Sequence, residues 1–175
     1  MGSIKSYVYN PDANKVVLII GLPDSGKTTI LYHFKFNEKV FTIPTSGYNV
    51  ESFSFKKKYY TVYDMQYTEE LIISKDFKEL FNNVNIIIFV VDKSKASRLD
   101  DSKKFLFQIL EREELKHKPV LIISNKSDLE KNITTGDLAD RLCLYDIKDR
   151  EWFVRDACGL TGEGLKESLD WINKF

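Results

Sequence analysis

The stretch "VVLIIGLPDSGKTT", residues 16–29, decides the fold of this chain. It opens with a continuous apolar run rich in β-branched residues, which is typical of a strand buried on both faces. It then fits G-x-x-x-x-G-K-[ST] with Gly21, Gly26, Lys27 and Thr28. In such a loop, backbone N–H groups point at phosphate oxygens, the lysine adds charge and the hydroxyl faces Mg²⁺. The alternative, a chance glycine turn, is disfavoured because the pattern lies between a predicted strand and a predicted helix.

On either side of this loop, the sequence switches between two kinds of segment. Apolar or alternating runs typical of strands are followed by amphipathic stretches of helical length. A lysine turn at 56–58 joins two alternating runs into a predicted hairpin. The predicted strands are 16–21, 50–55, 59–64, 85–92, 119–125 and 151–157, and the later helices are 97–115, 134–144 and 162–175. This order predicts an α/β sandwich around a mostly parallel sheet, whose ligands lie at the carboxyl ends of its strands.

The composition argues against two functional classes, nucleic-acid-binding proteins and membrane-spanning proteins. The chain has 175 residues, a formal net charge of zero and 43% hydrophobic residues, which suggests one globular domain. A neutral chain argues against a nucleic-acid binder, and its longest apolar run is too short to span a bilayer. Cys143 and Cys158 are distant in sequence and have no metal-binding spacing, which fits a protein of the reducing cytoplasm.

The sequence "NKSD", residues 125–128, follows the predicted strand 119–125. Asp128 can accept hydrogen bonds from N1–H and the 2-amino group of guanine, a donor pair that adenine lacks. Asn125 would tie the base to the phosphate loop, and the alkyl stem of Lys126 would cover one face of the base. Alone the pattern also suits a solvated turn, but after a phosphate loop it indicates guanine recognition.

Two further positions carry little information by themselves. Asp64 ends the predicted strand 59–64 and could hold a Mg²⁺-bound water, although a carboxylate in a turn is the simpler interpretation. Thr45 lies in a loop that contains proline and glycine, where threonine is common.

Taken together, "GLPDSGKTTILYHFK", "FTIPTSGYNVE", "YTVYDM", "NKSDL" and "GLKESLDWI" resemble the Arf and Arf-like family of small GTPases. Later segments look closest to the Arf-like branch tied to ciliary coat assembly. The resemblance implies a three-layer phosphate-loop GTPase fold with a six-stranded sheet, mostly parallel with one antiparallel strand. It also implies a short N-terminal segment, 1–15, and a single guanine-nucleotide-binding domain, 16–175.

The resemblance implies site residues as well. Those expected to contact GTP or GDP are Asp24, Ser25, Gly26, Lys27, Thr28, Thr29, Thr45, Asn125, Lys126, Asp128, Cys158 and Gly159. Thr28 and Thr45 are expected to ligate Mg²⁺, and Asp64 to act through a water. In the family, the loop around Thr45 and the segment after Asp64 change between the GDP and GTP states, and the hairpin between them slides.

The expected partners are effector proteins, an exchange factor and an activating protein. Tyr48 and Tyr63 fall where the family presents an effector surface, and Leu80 replaces its third aromatic residue. "MGSIKS" fits an N-myristoylation signal at Gly2, which would add peripheral membrane contact to a cytoplasmic protein. One myristoyl chain anchors only marginally, and the polar segment after it is a weak second signal.

Two departures from the family pattern bear on GTP hydrolysis. Pro23 replaces a usual aspartate and has no N–H to donate. The pattern Asp-x-Gly-Gly-Gln is here "DMQYT", residues 64–68, so Tyr67 replaces a flexible glycine and Thr68 the water-positioning glutamine. Thr68 and Gln66 are therefore weak candidates for positioning water, and we expect slow intrinsic hydrolysis.

Two alternatives belong to other functional classes. A module that binds nucleotide permanently would not change its partner affinity between GDP and GTP, whereas a switch would. A phosphate-loop kinase for small molecules would gather arginines around the transferred phosphate, but the five arginines here are scattered through the second half of the chain.

Overall fold

The computed structural model describes residues 14–38, 48–69, 74–75, 77–129 and 132–175. Within these ranges the chain forms one six-stranded sheet with helices on both faces. The strands are β1 (Asn14–Gly21), β2 (Tyr48–Phe55), β3 (Lys58–Gln66), β4 (Ile86–Asp92), β5 (Val120–Asn125) and β6 (Trp152–Asp156). The helices are α1 (Lys27–Phe36), α2 (Lys78–Asn83), α3 (Leu99–Leu110), α4 (Thr135–Arg141) and α5 (Leu165–Ile172). None of the described helices is long and apolar enough to cross a membrane.

The sheet has the strand order β2-β3-β1-β4-β5-β6. Only the β2–β3 pair is antiparallel, and the remaining pairs are parallel. The predicted sheet, mostly parallel with one antiparallel strand, is therefore confirmed. Its parallel register brings Gly21 opposite Gln66 and Asp92 opposite Asn125 at one edge. The loops that follow these strands consequently lie next to one another at the carboxyl edge of the sheet.

Two apolar cores explain the three layers. On one face, side chains of β1 and β4 pack with α3 and α4 around Phe89, Phe105 and Leu138. On the other face, they pack with α1 and α5 around Ile30 and Ile172. β4 and β5 are buried along their whole length, which explains why their sequences are continuous apolar runs without alternation.

Several helices are shorter than the sequence predicts. The predicted helix 97–115 is α3 flanked by 3₁₀ turns at Ala96–Arg98 and Glu113–Leu115, because the backbone at Arg112 is extended. The predicted helix 134–144 stops at Arg141, and the left-handed Cys143 separates it from a 3₁₀ turn. Thr134 caps α4 in a capping box with Asp137. α2 is not predicted from the sequence because its six residues are too few to show a helical period.

The hairpin differs in its turn and in its length. Lys56 and Lys57 have φ of +45° and +68°, so the turn contains two left-handed residues and Lys58 already belongs to β3. β3 continues to Gln66, two residues beyond the predicted end at Asp64. Asp64 therefore lies within the sheet and not in the turn that its sequence position suggests.

Candidate nucleotide-binding site

The glycine-rich loop between β1 and α1 is shaped by close packing against the strands beside it. Gly26 has φ +92°, and a Cβ at this position would lie 2.2 Å from Nδ2 of Asn125. At Gly21, a Cβ would lie 2.3 Å from the carbonyl oxygen of Val90. Only glycine fits these two positions, so the loop curls tightly and its N–H groups can converge on an anion.

Lys27 is the cation of this loop. It is 7% exposed, and its Nζ donates to the carbonyl oxygen of Leu22 at 3.0 Å. Burial lowers the pKa of Lys27 to about 8, while the charges of Asp64 and Asp24 act in the opposite direction. A phosphate beside Lys27 would offset the free-energy cost of burying its charge. A buried lysine of this kind is expected to bind an anion.

Thr28 and Asp64 come together beside Lys27. The Thr28 hydroxyl donates to a carboxylate oxygen of Asp64, which is 1% exposed. Burial raises the pKa of Asp64, although the hydrogen bond from Thr28 and the charge of Lys27 oppose the shift. Mg²⁺ in nucleotide sites commonly uses one or two carboxylates together with phosphate oxygens. A hydroxyl and a buried carboxylate next to a phosphate loop fit that ion, whereas Thr45 lies outside the described residues.

Asn125 joins three parts of the chain. Its Nδ2 donates to the carbonyl oxygen of Ser25 at 2.7 Å, and its Oδ1 accepts from the N–H of Gly159 at 3.0 Å. The side chain is 2% exposed, so these hydrogen bonds are shielded from water. Asn125 therefore fixes the phosphate loop and the loop after β6 to the end of β5.

A cavity of about 150 Å³ opens beside this junction. It is lined by Gly26, Thr29, Asn125, Lys126, Asp128, Leu129, Cys158, Gly159 and Leu160. The thiol of Cys158 donates to Asp128 at 3.3 Å and so orients the carboxylate. The apolar stems at the rim and the carboxylate at the end suit a planar base that carries hydrogen-bond donors on one edge.

Asp92 and Lys93 belong to the same candidate site, although no motif in the sequence predicts them. Asp92 forms an ion pair with Lys126 at 2.7 Å and accepts from the N–H and hydroxyl of Ser94. Burial alone would raise the pKa of Asp92, but the hydrogen bonds from Lys126 and Ser94 outweigh it and hold the pKa below its usual value. Lys93, 2% exposed, pairs with Asp156 at 3.0 Å. The sequence feature that could have indicated these residues is the polar triplet "DKS", which directly follows the apolar run of β4.

Gln66, Tyr67 and Thr68, which follow Asp64, lie in three different environments. Gln66 ends β3 opposite Gly21, and Thr68 is exposed two residues further on. The ring of Tyr67 meets the ring of Phe105 edge-on, with centroids 4.6 Å apart. Tyr67 thus packs against the core beneath α3. Residues 70–73 and 76, which follow in this segment, lie outside the described residues.

The predicted effector residues lie on one side of the sheet edge. Tyr48 on β2 is 57% exposed and pairs with Met65, while Val50 pairs with Tyr63. Directly opposite residues of an antiparallel pair share a face, so Tyr48, Val50 and Tyr63 form a common surface. Leu80 on α2 is half-buried and packs against the core. Gly2, the predicted lipidation site, lies outside the described residues.

Comparison with known proteins identifies the family. The model of the ADP-ribosylation factor family matches residues 1–175. A solved structure of the small GTPase Arl6 (BBS3) from Trypanosoma brucei, with the bound nucleotide analogue GppNp, is 30% identical in sequence. It aligns with a TM-score of 0.76 over 92% of this chain and 96% of that one. The resemblance drawn from the motifs is thereby confirmed, and the chain belongs to the ADP-ribosylation factor family of small GTPases.

Proposed function

We propose that this protein is a guanine-nucleotide switch that binds GTP and GDP with Mg²⁺, hydrolyses GTP slowly and recruits effector proteins in membrane or ciliary trafficking. The observation that carries the proposal is the convergence at Asn125, where the phosphate loop, the "NKSD" segment and the loop after β6 meet. A guanine base and its phosphates span such a junction. Residues 16–175 would act as the single nucleotide-binding domain, and 1–15 as a separate short segment.

Guanine would enter the cavity next to Asp128. The carboxylate would accept from N1–H and the 2-amino group, while the thiol of Cys158 holds one of its oxygens. The ion pair with Asp92 would keep the stem of Lys126 over the base. Gly159 lines the same cavity, and its N–H would face the guanine oxygen.

The phosphates would lie in the curl of the loop. Lys27 and the N–H groups from Asp24 to Thr29 would bind their oxygens, with the amino terminus of α1 directed at the anion. Thr28 and Asp64, with Thr45 as a further predicted ligand, would hold Mg²⁺, Asp64 through a water. Bound Mg²⁺ neutralises the charge that builds up between the β and γ phosphates.

Slow hydrolysis is proposed from the packing of Tyr67. The family uses a glycine there, whose freedom lets the segment approach the γ-phosphate, and a glutamine that orients water. Tyr67 instead holds its backbone close to α3 through Phe105, and its Cβ restricts rotation. Thr68 has too short a side chain to replace the glutamine. Gln66 is the last residue of β3, so its backbone is held in the sheet.

Effectors would bind the surface formed by Tyr48, Val50 and Tyr63, extended by Leu80. This surface lies on the edge strand β2, between the two segments that respond to nucleotide in the family. Large half-exposed aromatic side chains are typical anchors of protein interfaces. Myristoylation of Gly2 would add membrane contact.

A permanently loaded binding module is the second candidate, favoured by the same anchoring of Tyr67. The two candidates differ in nucleotide dependence. A switch binds its partner differently when loaded with GDP or with a non-hydrolysable GTP analogue, whereas a module binds it equally in both states.

The first experiment loads the purified protein with GTP and Mg²⁺ and follows bound nucleotide by chromatography for several hours. We expect the nucleotide to remain largely GTP. The double variant Tyr67→Gly, Thr68→Gln restores the family pattern and should raise the hydrolysis rate about tenfold or more, because water is then positioned. Rapid conversion to GDP by the unaltered protein would refute slow hydrolysis, while leaving nucleotide binding intact.

A further inference from the structure

Arg98 lies beside the phosphate loop, although 75 positions of sequence separate it from Pro23. It ends the 3₁₀ turn that leads into α3, and its Nη1 donates to the carbonyl oxygen of Pro23 at 2.9 Å. Among the described residues it forms no ion pair with a carboxylate. A guanidinium has five donors, so this single bond leaves most of its capacity available.

Arg98 and Lys27 donate hydrogen bonds to the carbonyl groups of two consecutive loop residues. Lys27 donates to the carbonyl of Leu22, and Arg98 donates to the carbonyl of Pro23. The two cations are close enough that the charge of Arg98 adds to the lowering of the pKa of Lys27. Two like charges held at adjacent peptide groups repel one another, and an anion between them would relieve that repulsion.

A cavity of about 230 Å³ gives Arg98 room to move. Its lining comprises Leu22, Pro23, Tyr67, Arg98, Asp101, Lys104, Phe105 and Gln108. The cavity thus connects the phosphate loop with α3 on the side where the segment after Asp64 leaves the sheet. The cavity leaves the guanidinium space to turn from the carbonyl oxygen of Pro23 toward an anion bound at the phosphate loop.

The loop and the segment after Asp64 each carry a residue that limits contact with the terminal phosphate. Pro23 has no N–H, and Tyr67 is held against Phe105. We propose that Arg98 contacts the γ-phosphate of bound GTP and thereby makes the protein distinguish the triphosphate from the diphosphate. The inference rests on the proposed binding of guanine nucleotides and names a residue that the sequence motifs do not contain. A planar guanidinium suits this role because it bonds phosphate oxygens in pairs.

The test compares binding of GDP and of the non-hydrolysable analogue GppNp, both with Mg²⁺, by the unaltered protein and its variants. Arg98→Ala should weaken binding of GppNp about tenfold while changing GDP binding less than about twofold, as expected for one charge-assisted bond. Arg98→Lys should recover only part of the loss, since an ammonium cannot bond two oxygens in a plane. Arg141→Ala, which removes an exposed arginine at the end of α4, is the matched control and should change neither affinity.

Phosphorus NMR of bound GppNp supplies a second readout. The γ resonance should move in Arg98→Ala, and the α and β resonances should stay in place. Equal weakening of GDP and GppNp, or full recovery in Arg98→Lys, would overturn the paired contact with the γ-phosphate, because Arg98 would then act on the shape of the loop or through its charge alone. If the unaltered protein binds neither nucleotide, the proposed function itself fails, which separates the two outcomes.

Discussion

At the scale of single residues, Asp92 shows how an unremarkable strand-end carboxylate can control a ligand site. It is buried, and it is held ionised by Lys126 and Ser94. Lys126 itself has φ +63°, a left-handed backbone that non-glycine residues rarely adopt. The ion pair therefore fixes both the strained backbone and the side chain of a residue at the rim of the base cavity.

Asp92→Asn is expected to destabilise the protein at neutral pH by about 1–2 kcal/mol, since it removes the charge from a partly buried pair. The folded-state pKa of Asp92 is depressed, so its contribution is present above the unfolded pKa and lost as the pH falls through the folded one. The stability difference between the two proteins, measured by urea unfolding at neutral and acidic pH, should shrink in acid. A difference that grows in acid would contradict this account.

At the scale of elements, the β2–β3 hairpin carries both Asp64 and the proposed effector surface. Its turn end is tied to the end of the chain, where Lys58 donates to the carbonyl of Asn173 at 2.7 Å. Tyr60 donates to the side chain of Asn173 at 2.9 Å. Its two-residue turn, by contrast, places lysines where glycine or asparagine is favoured. The turn end of the hairpin is therefore both anchored to the end of the chain and strained in its backbone.

Lys57→Gly should stabilise the protein by roughly 0.5–1 kcal/mol, because glycine adopts φ +68° without a Cβ penalty. Lys56 keeps its ion pair with Asp170 in this variant. The matched control is Lys95→Gly, another exposed lysine but with φ −111°, which should be neutral or destabilising. Thermal unfolding of both variants decides the matter, and stabilisation by Lys95→Gly alone would refute it.

At the scale of the whole molecule, the nucleotide site is the place where distant parts of the chain are held together. Asn125 bonds Ser25, 100 positions away, and Gly159, 34 positions away. Gly164 has φ +74°, and a Cβ there would lie 2.1 Å from the carbonyl of Asp156, so the start of α5 is pressed against the end of β6. Folding and nucleotide binding should consequently be coupled.

Asn125→Ala should cost about 2–4 kcal/mol of stability, because it leaves the carbonyl of Ser25 and the N–H of Gly159 buried without their partner. It should also weaken GDP binding and so reduce the rise in melting temperature that GDP and Mg²⁺ produce. Ser124→Ala is the matched control: its hydroxyl is buried next to Asn125 and bonds none of the described residues, so its loss should cost little. Equal effects of the two variants would contradict the proposed role of Asn125.

The fold class follows from the sequence alone, and local motifs predict most residues of the candidate site. Short continuous apolar runs bounded by turn residues are typical of strands buried on both faces. The glycine spacing around Lys27 and the "NKSD" segment are local patterns that a single sequence displays. It could not reveal α2, the true ends of β3 or the ion pair of Asp92, since short elements and strand ends depend on their packing partners. Only the tertiary structure brought Arg98 to Pro23 and the ring of Tyr67 to Phe105. Such contacts join residues from separate elements, and the parallel crossovers of the sheet, which no local spacing encodes, set their distances.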